Sequence, residues 1–208
     1  MPRPSEVPIA PLNGLVLAGG NSRRMGRDKT ALRIHGRTQA EHVISLLSAF
    51  CETVFVSVRP EQDTDPHFAA QPRIHDLHPG SGPLGAIVSA QKHIPDVAWL
   101  VLACDLPFVD EHVLSHLLAQ RNAGRAVTCY RSTHDGLPEP LCAIYEPESA
   151  VILNDHFADG CRCPRNVLIH TDKQELEQPF AWALDNVNTP QELDSAIERL
   201  QTASRALS

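Results

Sequence analysis

The chain has 208 residues, of which 42% are hydrophobic and 21% charged, and its formal net charge is −7 at neutral pH. This size suits one α/β domain with its own core. The acidic balance argues against broad, non-specific binding to nucleic acid or to an anionic membrane surface. No apolar run approaches the roughly 18 residues needed to cross a bilayer. A small phosphate site is still compatible with this charge, because a local cluster of cations can lie on an acidic protein.

Residues 12–201 are predicted to form one domain, with a short segment on either side. Residues 1–11 are rich in proline and lack the apolar segment of a secretory signal. We expect a flexible lead-in over 1–11, a single domain over 12–201 and a C-terminal tail over 202–208, in a cytoplasmic protein. Six cysteines in such a chain predict reduced thiols rather than disulfides. The pair Cys161-Arg-Cys163 could begin a zinc site, but zinc needs about four ligands and there is no second pair.

Segments with strand character alternate along the chain with helical ones. The predicted strands are 12–18, 53–58, 97–103, 126–130, 141–145 and 166–170, and 60–72 is expected to be mostly loop. The predicted helices are 38–50, 84–93, 111–120, 148–157 and 190–201. A capping box formed by Thr189 and Glu192 opens the last helix, with proline at its first position. The alternation predicts a mainly parallel sheet with helices on both faces and right-handed crossovers. Ligands bind beyond the carboxyl ends of the strands in such sheets, where the loops at Gly19, 76–83 and 104–107 fall.

The loop after the first strand combines a Gly-Gly turn with a dense cluster of cations. It begins Leu17-Ala-Gly-Gly20, and glycines let backbone N–H groups approach a phosphate closely. Four cations follow within ten residues: Arg23, Arg24, Arg27 and Lys29. A plain tight turn and a solvated basic loop are the alternatives, but this concentration of charge on an acidic chain favours a triphosphate. The loop has neither the ending of a Walker motif nor the G-x-G-x-x-G spacing of dinucleotide-binding proteins.

A carboxylate follows the buried strand that ends near Ala103. Asp105 stands in the sequence Val-Leu-Ala-Cys-Asp-Leu-Pro, at the kind of strand end where Mg²⁺ ligands are found. Mg²⁺ uses one or two carboxylates together with phosphate oxygens and water. The alternative is a helix cap, but Asp110 is better placed for capping. The position therefore favours a Mg²⁺ ligand.

Two further motifs offer polar groups to a ligand. Asp76 precedes the glycine-rich turn 80–85 and could accept a hydrogen bond from a ribose or a base, although an ordinary loop explains it equally well. Asn186 and Asn188 alternate, so both could point to the same side of an extended segment. They could orient a substrate there or simply serve the turn geometry. The eleven histidines are scattered, and we expect them to be surface or capping residues.

The first loop, residues 17–29, resembles the signature of the molybdenum cofactor guanylyltransferase family, in the nucleotidyltransferase superfamily. Members build molybdopterin guanine dinucleotide from GTP and Mo-molybdopterin. The likeness continues in order through 82–87, 104–107 and 186–193. The resemblance implies a Rossmann-like, three-layer α/β/α nucleotidyltransferase fold with a mainly parallel sheet. It also implies an enzyme that uses Mg²⁺, releases pyrophosphate, and has molybdoenzymes or cofactor-delivery proteins as further partners.

The resemblance assigns roles to individual residues. GTP would be bound by Leu17, Ala18, Gly19, Gly20, Lys29, Asp76 and Asp105. Arg24 and Lys29 would hold the phosphates and Asp105 would hold Mg²⁺, which makes these three the catalytic residues. Asn186, Asn188 and Glu139 would lie on the acceptor or metal side. Ser57 departs from the family, because some members place a GTP-contacting asparagine there.

Three other functions are compatible with parts of this pattern. A molybdopterin cytidylyltransferase, or another small-molecule nucleotidyltransferase of the same fold, is the nearest, but Ala-Gly-Gly rather than Ala-Ala-Gly favours guanine. A non-catalytic protein that binds nucleotide or cofactor and delivers it would not need both Lys29 and Asp105. A dehydrogenase would need the missing dinucleotide-binding glycines.

Overall fold

The structure is a computed structural model that describes residues 9–18, 36–58, 68–187 and 189–206. Its strands are β1 (Leu12–Leu17), β2 (Val54–Val58), β3 (Arg73–His75), β4 (Ala98–Ala103), β5 (Val127–Arg131), β6 (Pro138–Tyr145) and β7 (Lys173–Leu176). Its helices are α1 (Gln39–Ser48), α2 (Gly82–His93), α3 (Glu111–Ala119), α4 (Ser149–Ala158), α5 (Pro164–Ile169) and α6 (Pro190–Ala206). None of the helices in these ranges has both the length and the apolar character that a bilayer span requires.

The described strands form one sheet in the order β3-β2-β1-β4-β6-β5-β7. β1 lies between β2 and β4 and is parallel to both, and the pairs β2–β3 and β5–β7 are parallel as well. β6 runs antiparallel to its two neighbours, β4 and β5. The mainly parallel sheet predicted from the sequence is therefore confirmed.

The centre of the sheet is covered on both faces. Every residue of β1 and β4 is buried, and neighbouring side chains of a strand point to opposite faces. Such strands need a helical layer on each side, which explains the fully apolar sequence of β4 and the mainly apolar sequence of β1, where Asn13 is the one polar residue. Helix α1 begins with a capping box in which Thr38 and Glu41 exchange side-chain and backbone hydrogen bonds. It buries Ala40, Val43 and Leu47 completely against the sheet.

Four elements differ from the sequence prediction. The predicted strand 166–170 is wrong, because the segment belongs to α5, which starts at a proline and buries residues at helical spacing. β3 and β7 were not predicted, since these short strands at the sheet edges each bury a single residue, Ile74 or Leu176. Helix α6 continues past 201 to Ala206, because no glycine or proline ends it, so most of the expected tail is helical.

Candidate active site

The carboxyl ends of β1 and β4 lie side by side at one edge of the sheet. Leu17 pairs with Ala103, and the backbone N–H of Cys104 donates to the carbonyl of Leu17 over 3.3 Å. Ala18 and Asp105 therefore follow adjacent strand ends. Ser57 pairs with Leu17 on the other side of β1, so it lies at the same edge.

The antiparallel strand β6 begins where β4 ends. Leu102 of β4 pairs with Cys142 of β6, so the start of β6, including Glu139, extends beyond the carboxyl end of β4. Glu139 and Asp105 thus reach the same edge of the sheet from positions far apart in the sequence. This arrangement depends on the strand order, which the sequence pattern did not reveal.

A cleft of about 720 Å³ opens at this edge. The described residues that line it are Pro83, Asp105, Leu106, Ser132, His134, Asp135, Glu139, Pro140, Leu141, Cys142, Arg162, Cys163, Pro164, Arg165, Leu184, Asp185, Asn186 and Glu192. Three of the residues assigned to the nucleotide, metal or acceptor from the sequence are among them: Asp105, Glu139 and Asn186. Gly19, Gly20, Arg24, Lys29 and Asn188 lie outside the described residues.

The segment before α6 is attached to the end of β4. The backbone N–H of Val187 donates to the carbonyl oxygen of Asp105 over 2.9 Å. Asn186 immediately precedes Val187, so this bond holds it beside Asp105 in the wall of the cleft. The predicted capping box that follows is confirmed, since Thr189 and Glu192 exchange hydrogen bonds of 3.1 and 3.2 Å.

Asp76 lies at the end of β3, against the first turn of α2. Its Oδ1 accepts a hydrogen bond from the backbone N–H of His78 over 2.8 Å. The hydroxyl of Ser89 lies 3.3 Å from the same Oδ1 and 2.7 Å from the carbonyl of Gly85. A Cβ on Gly85 would lie 3.2 Å from Oδ1 and 2.8 Å from the Cβ of Ser81, so the close approach of Asp76 requires a glycine there. Asp76 thus packs against the first turn of α2, which carries Pro83 of the cleft lining, but Asp76 is not itself among the lining residues.

The loop between β5 and β6 forms a charged wall of the cleft. The two Nη atoms of Arg165 lie 3.0 Å from Oδ2 of Asp135 and 2.7 Å from Oε2 of Glu139. The backbone N–H of Leu137 and the charge of Arg165 hold the pKa of Asp135 below its ordinary value. Glu139 therefore meets the cleft as part of an ion-paired group rather than as an isolated carboxylate.

A second ion-paired group connects this loop to the segment before α6. Nε2 of His134 lies 2.8 Å from Oδ1 of Asp185, and Arg199 of α6 lies 3.4 Å from Oδ2. The hydrogen bond to Asp185 and the charge of that carboxylate raise the pKa of His134. Sequence reasoning missed His134, Asp185, Arg162 and Arg165. Nothing in the local pattern links His134 to Asp185, while the two arginines around Pro164 were a weak signal of a cationic helix start.

The family model described as "MobA-like NTP transferase domain" matches residues 14–176. The chain is 34% identical over 188 residues to the "Molybdenum cofactor biosynthesis bifunctional protein" of Synechocystis sp., covering 90% of this chain and 54% of that protein, so it spans about half the length of this relative. It is 31% identical over 192 residues to the "Probable molybdenum cofactor guanylyltransferase" of Chloroflexus aggregans, covering 88% and 91%. The crystal structure of molybdopterin-guanine dinucleotide biosynthesis protein A from Archaeoglobus fulgidus superposes with a TM-score of 0.74 at 27% identity, covering 91% and 99%.

Proposed function

The chain belongs to the family of MobA-like NTP transferase domains, and we propose that it is a molybdenum cofactor guanylyltransferase. It would transfer GMP from GTP to Mo-molybdopterin, forming molybdopterin guanine dinucleotide and releasing pyrophosphate. One observation carries the proposal beyond the family. Asp105 and Asn186 line a single cleft beside the strand end from which the Gly-Gly loop departs. That is the edge of a parallel sheet at which nucleotides bind.

Mg²⁺ is the metal that we propose for Asp105. Among the described residues, no three His, Cys, Asp or Glu side chains are arranged to hold a metal ion together. A site with a single protein carboxylate, Asp105, suits Mg²⁺, because Mg²⁺ is bound by one or two carboxylates and takes its other ligands from phosphate oxygens and water. It does not suit a metal that needs a complete set of protein ligands. When bound, Mg²⁺ would neutralise negative charge on the α-phosphate of the nucleotide.

The reaction that we propose is an in-line displacement at the α-phosphorus of GTP. An oxygen of the acceptor's terminal phosphate forms the new bond to phosphorus, and the bond to the β-phosphate breaks, so pyrophosphate leaves. A phosphate monoester is already anionic near neutral pH, so it needs no general base. The barrier is then mainly charge repulsion and alignment, which fixed cations and positioning groups lower.

The chain's own residues would do this by holding both substrates. Backbone groups of Leu17 and Ala18, with Gly19 and Gly20, would contact GTP, and Asp76 would fix the nucleoside. Arg24 and Lys29 would stabilise the charge that develops on pyrophosphate. Asn186, Asn188 and Glu139 would lie on the acceptor side.

Asp105→Ala tests the metal assignment. We expect this variant to stay folded and to lose Mg²⁺-dependent transfer, because the carboxylate that holds the cation is gone. Asp110→Ala is the matched control, since Asp110 caps α3 by accepting from the N–H of Val113 over 2.9 Å. The control should lose about 1 kcal/mol of stability and keep its activity. Full activity in Asp105→Ala would exclude the assignment.

The donor and acceptor are tested by incubating the protein with Mg²⁺, molybdopterin and one nucleotide at a time. We expect pyrophosphate release and a product mass increased by GMP, with GTP preferred over CTP. A product carrying CMP would identify a cytidylyltransferase instead. Nucleotide binding without pyrophosphate release would identify a delivery protein.

A further inference from the structure

Arg162 lies between α4 and α5 and lines the cleft. Its Nη1 donates to the carbonyl oxygens of Phe157 and Cys161 over 2.8 and 2.7 Å. The centre of its guanidinium lies 4.2 Å from the centroid of the Phe157 ring, a cation–π distance. Two carbonyls and an aromatic face therefore fix this side chain without using a carboxylate.

The opposite edge of the Arg162 guanidinium is available to a ligand. A guanidinium has five N–H donors, and the two carbonyls account for Nη1 alone. Across the described ranges, Nε and Nη2 of Arg162 make no hydrogen bond and no ion pair. Two parallel N–H groups of this kind match two oxygens of one phosphate. Because the rest of the group is held in place, little conformational freedom would be lost on binding.

Arg165 also lines the cleft, but its guanidinium is already ion-paired. Its two Nη atoms contact Asp135 and Glu139, so its charge is already balanced by carboxylates. An anion in the cleft would meet these carboxylates together with Arg165. Arg162 is therefore the better anion-binding group of the two.

Arg162 also lies close to the start of α2, which contributes Pro83 to the cleft. The ring of Phe157, on which it rests, packs against His78 at 4.7 Å between ring centroids, two residues beyond Asp76. The carbonyl oxygen of Arg162 lies 4.0 Å from the position of a Cβ on Gly82, in the first turn of α2. Arg162 thus lies close to the first turn of α2, against which Asp76 packs, and three residues before Arg165 in the lining of the cleft.

We infer that Arg162 binds a phosphate monoester, and that in catalysis this group is the terminal phosphate of the acceptor. The second part rests on the proposed function. The proposed function assigns the nucleotide's phosphates to the cations of the first loop, whereas Arg162 lines the cleft together with Glu139 and Asn186, which that proposal assigns to the acceptor. A cation here would hold the attacking phosphate beside the α-phosphate and lessen the repulsion between the two anions.

Titration with inorganic phosphate tests the anion site without any turnover. In protein labelled with ¹⁵N, the Nε–H resonance of Arg162, assigned by its loss in Arg162→Lys, should shift and saturate as phosphate is added. Sodium chloride at the same ionic strength is the control and should leave the resonance in place. A phosphate response no larger than the chloride response would overturn the inference, even in a protein that transfers GMP.

Steady-state kinetics then identify the source of the phosphate. We expect Arg162→Ala to raise the KM for molybdopterin by roughly 10- to 100-fold, the usual loss for a charge-assisted hydrogen-bond pair. The KM for GTP should change less than about twofold. Arg162→Lys keeps the charge without the paired donors and should give a smaller rise. Arg125→Ala, whose side chain pairs with Asp172 away from the cleft, should match the wild type.

A rise in the KM for GTP alone would overturn the acceptor assignment and give Arg162 to the nucleotide. Unchanged KM values for both substrates would overturn it as well. If the wild-type protein transferred no GMP, the proposed function would fail, and the phosphate titration would still decide whether Arg162 is an anion site. The melting temperature of each variant shows that a kinetic change does not come from unfolding.

Discussion

At the scale of single residues, the position of Asp76 depends on Ser89, about two helical turns into α2. The Ser89 hydroxyl accepts from the N–H of Leu77 over 3.0 Å and lies within hydrogen-bond distance of Asp76 and Gly85. Ser89→Ala would leave the Leu77 N–H without this partner. We expect a loss of about 1–3 kcal/mol in the free energy of unfolding and weaker GTP binding. Urea denaturation and a GTP titration measure the two effects.

Ser48→Ala is the matched control for Ser89→Ala. Ser48 also donates to the carbonyl four residues earlier, that of Ile44, over 2.8 Å, but it is exposed on α1 and far from Asp76. Its removal should change stability by less than about 0.5 kcal/mol and leave GTP binding intact. Equal effects of the two substitutions would mean that the contact with Asp76 contributes nothing.

His134 gives a prediction about pH. Its pKa lies above the ordinary value of 6.5 because Asp185 accepts its hydrogen bond and attracts its charge. A raised folded-state pKa stabilises the protein fully below about pH 6.5, and the contribution is lost as the pH rises through the raised pKa. Asp185→Asn should lower the pKa of His134, as measured by NMR titration of its ring protons. Since the His134 side chain is 73% exposed, the change in stability should be small.

Arg199→Ala is the control for Asp185→Asn, because it removes a positive instead of a negative charge from the same group. It removes a positive charge 3.4 Å from Oδ2 of the same carboxylate. The pKa of His134 should therefore stay the same or rise. A fall of similar size in both variants would show that Asp185 acts through the local fold and not through its charge.

Residues of the candidate site could be predicted from the sequence where they stand in a local motif. Side chains that interact across a long stretch of sequence could not be paired in this way. Asp105 and Asp76 stand in short local motifs, and the sequence identified both. The pair His134–Asp185 joins positions 51 residues apart, and no periodicity or spacing connects them. The ion pairs of Arg165 likewise join α5 to residues 26 and 30 positions earlier in the chain. Side chains that meet only through the sheet order could not be paired before that order was known.

At the scale of elements, α6 connects to the cleft through a small apolar cluster of its own. Buried Phe108, Val187 and Ala196 form this cluster, with Trp182 packed against it. The rings of Phe108 and Trp182 meet edge to face, 5.1 Å between centroids. Because Val187 also bonds to Asp105, the cluster and the backbone bond together fix the segment that carries Asn186.

Phe108→Ala should loosen α6 and the segment before it. We expect faster hydrogen exchange over 189–206, a loss of up to about 3–5 kcal/mol in unfolding free energy, and a larger rise in the KM for the acceptor than for GTP. Hydrogen-exchange mass spectrometry and steady-state kinetics measure these effects. Phe108→Leu keeps most of the volume and should cost less. Unchanged exchange in α6 would show that the helix is held by other contacts.

The elements that the sequence predicted well are mainly apolar strands and capped helices. β1 and β4 are buried on both faces, and α1 and α6 carry capping boxes, so each has a strong local signal. The edge strand β7, Lys-Gln-Glu-Leu, buries only Leu176 and owes its extended form to pairing with β5. Such a strand follows from tertiary pairing and not from its own sequence.

At the scale of the whole molecule, a buried ion pair joins three parts of the chain away from the cleft. Nε and Nη2 of Arg121 lie 2.6 and 2.8 Å from the two carboxylate oxygens of Glu146, at the far end of β6. Nη2 also donates to the carbonyl of Ala10 over 2.9 Å. The pair therefore links the lead-in to β1, the residues after α3 and the end of β6.

Removing one partner of this pair should destabilise the protein much more than removing a surface pair. Arg121→Ala leaves Glu146, whose side chain is only 1% exposed, without its counter-charge, and we expect a loss of about 3–5 kcal/mol in the free energy of unfolding. Arg125→Ala breaks the exposed pair with Asp172 and should cost at most about 1 kcal/mol. Urea denaturation of both variants measures the difference. The double variant Arg121→Met with Glu146→Leu should recover most of the loss, because apolar residues of similar size replace a buried ion pair at little cost. Arg121 and Glu146 lie at the opposite end of β6 from Glu139, so transfer activity well below the melting temperature should be unchanged in these variants. Equal losses of stability in Arg121→Ala and Arg125→Ala would contradict the structural role assigned to the buried pair.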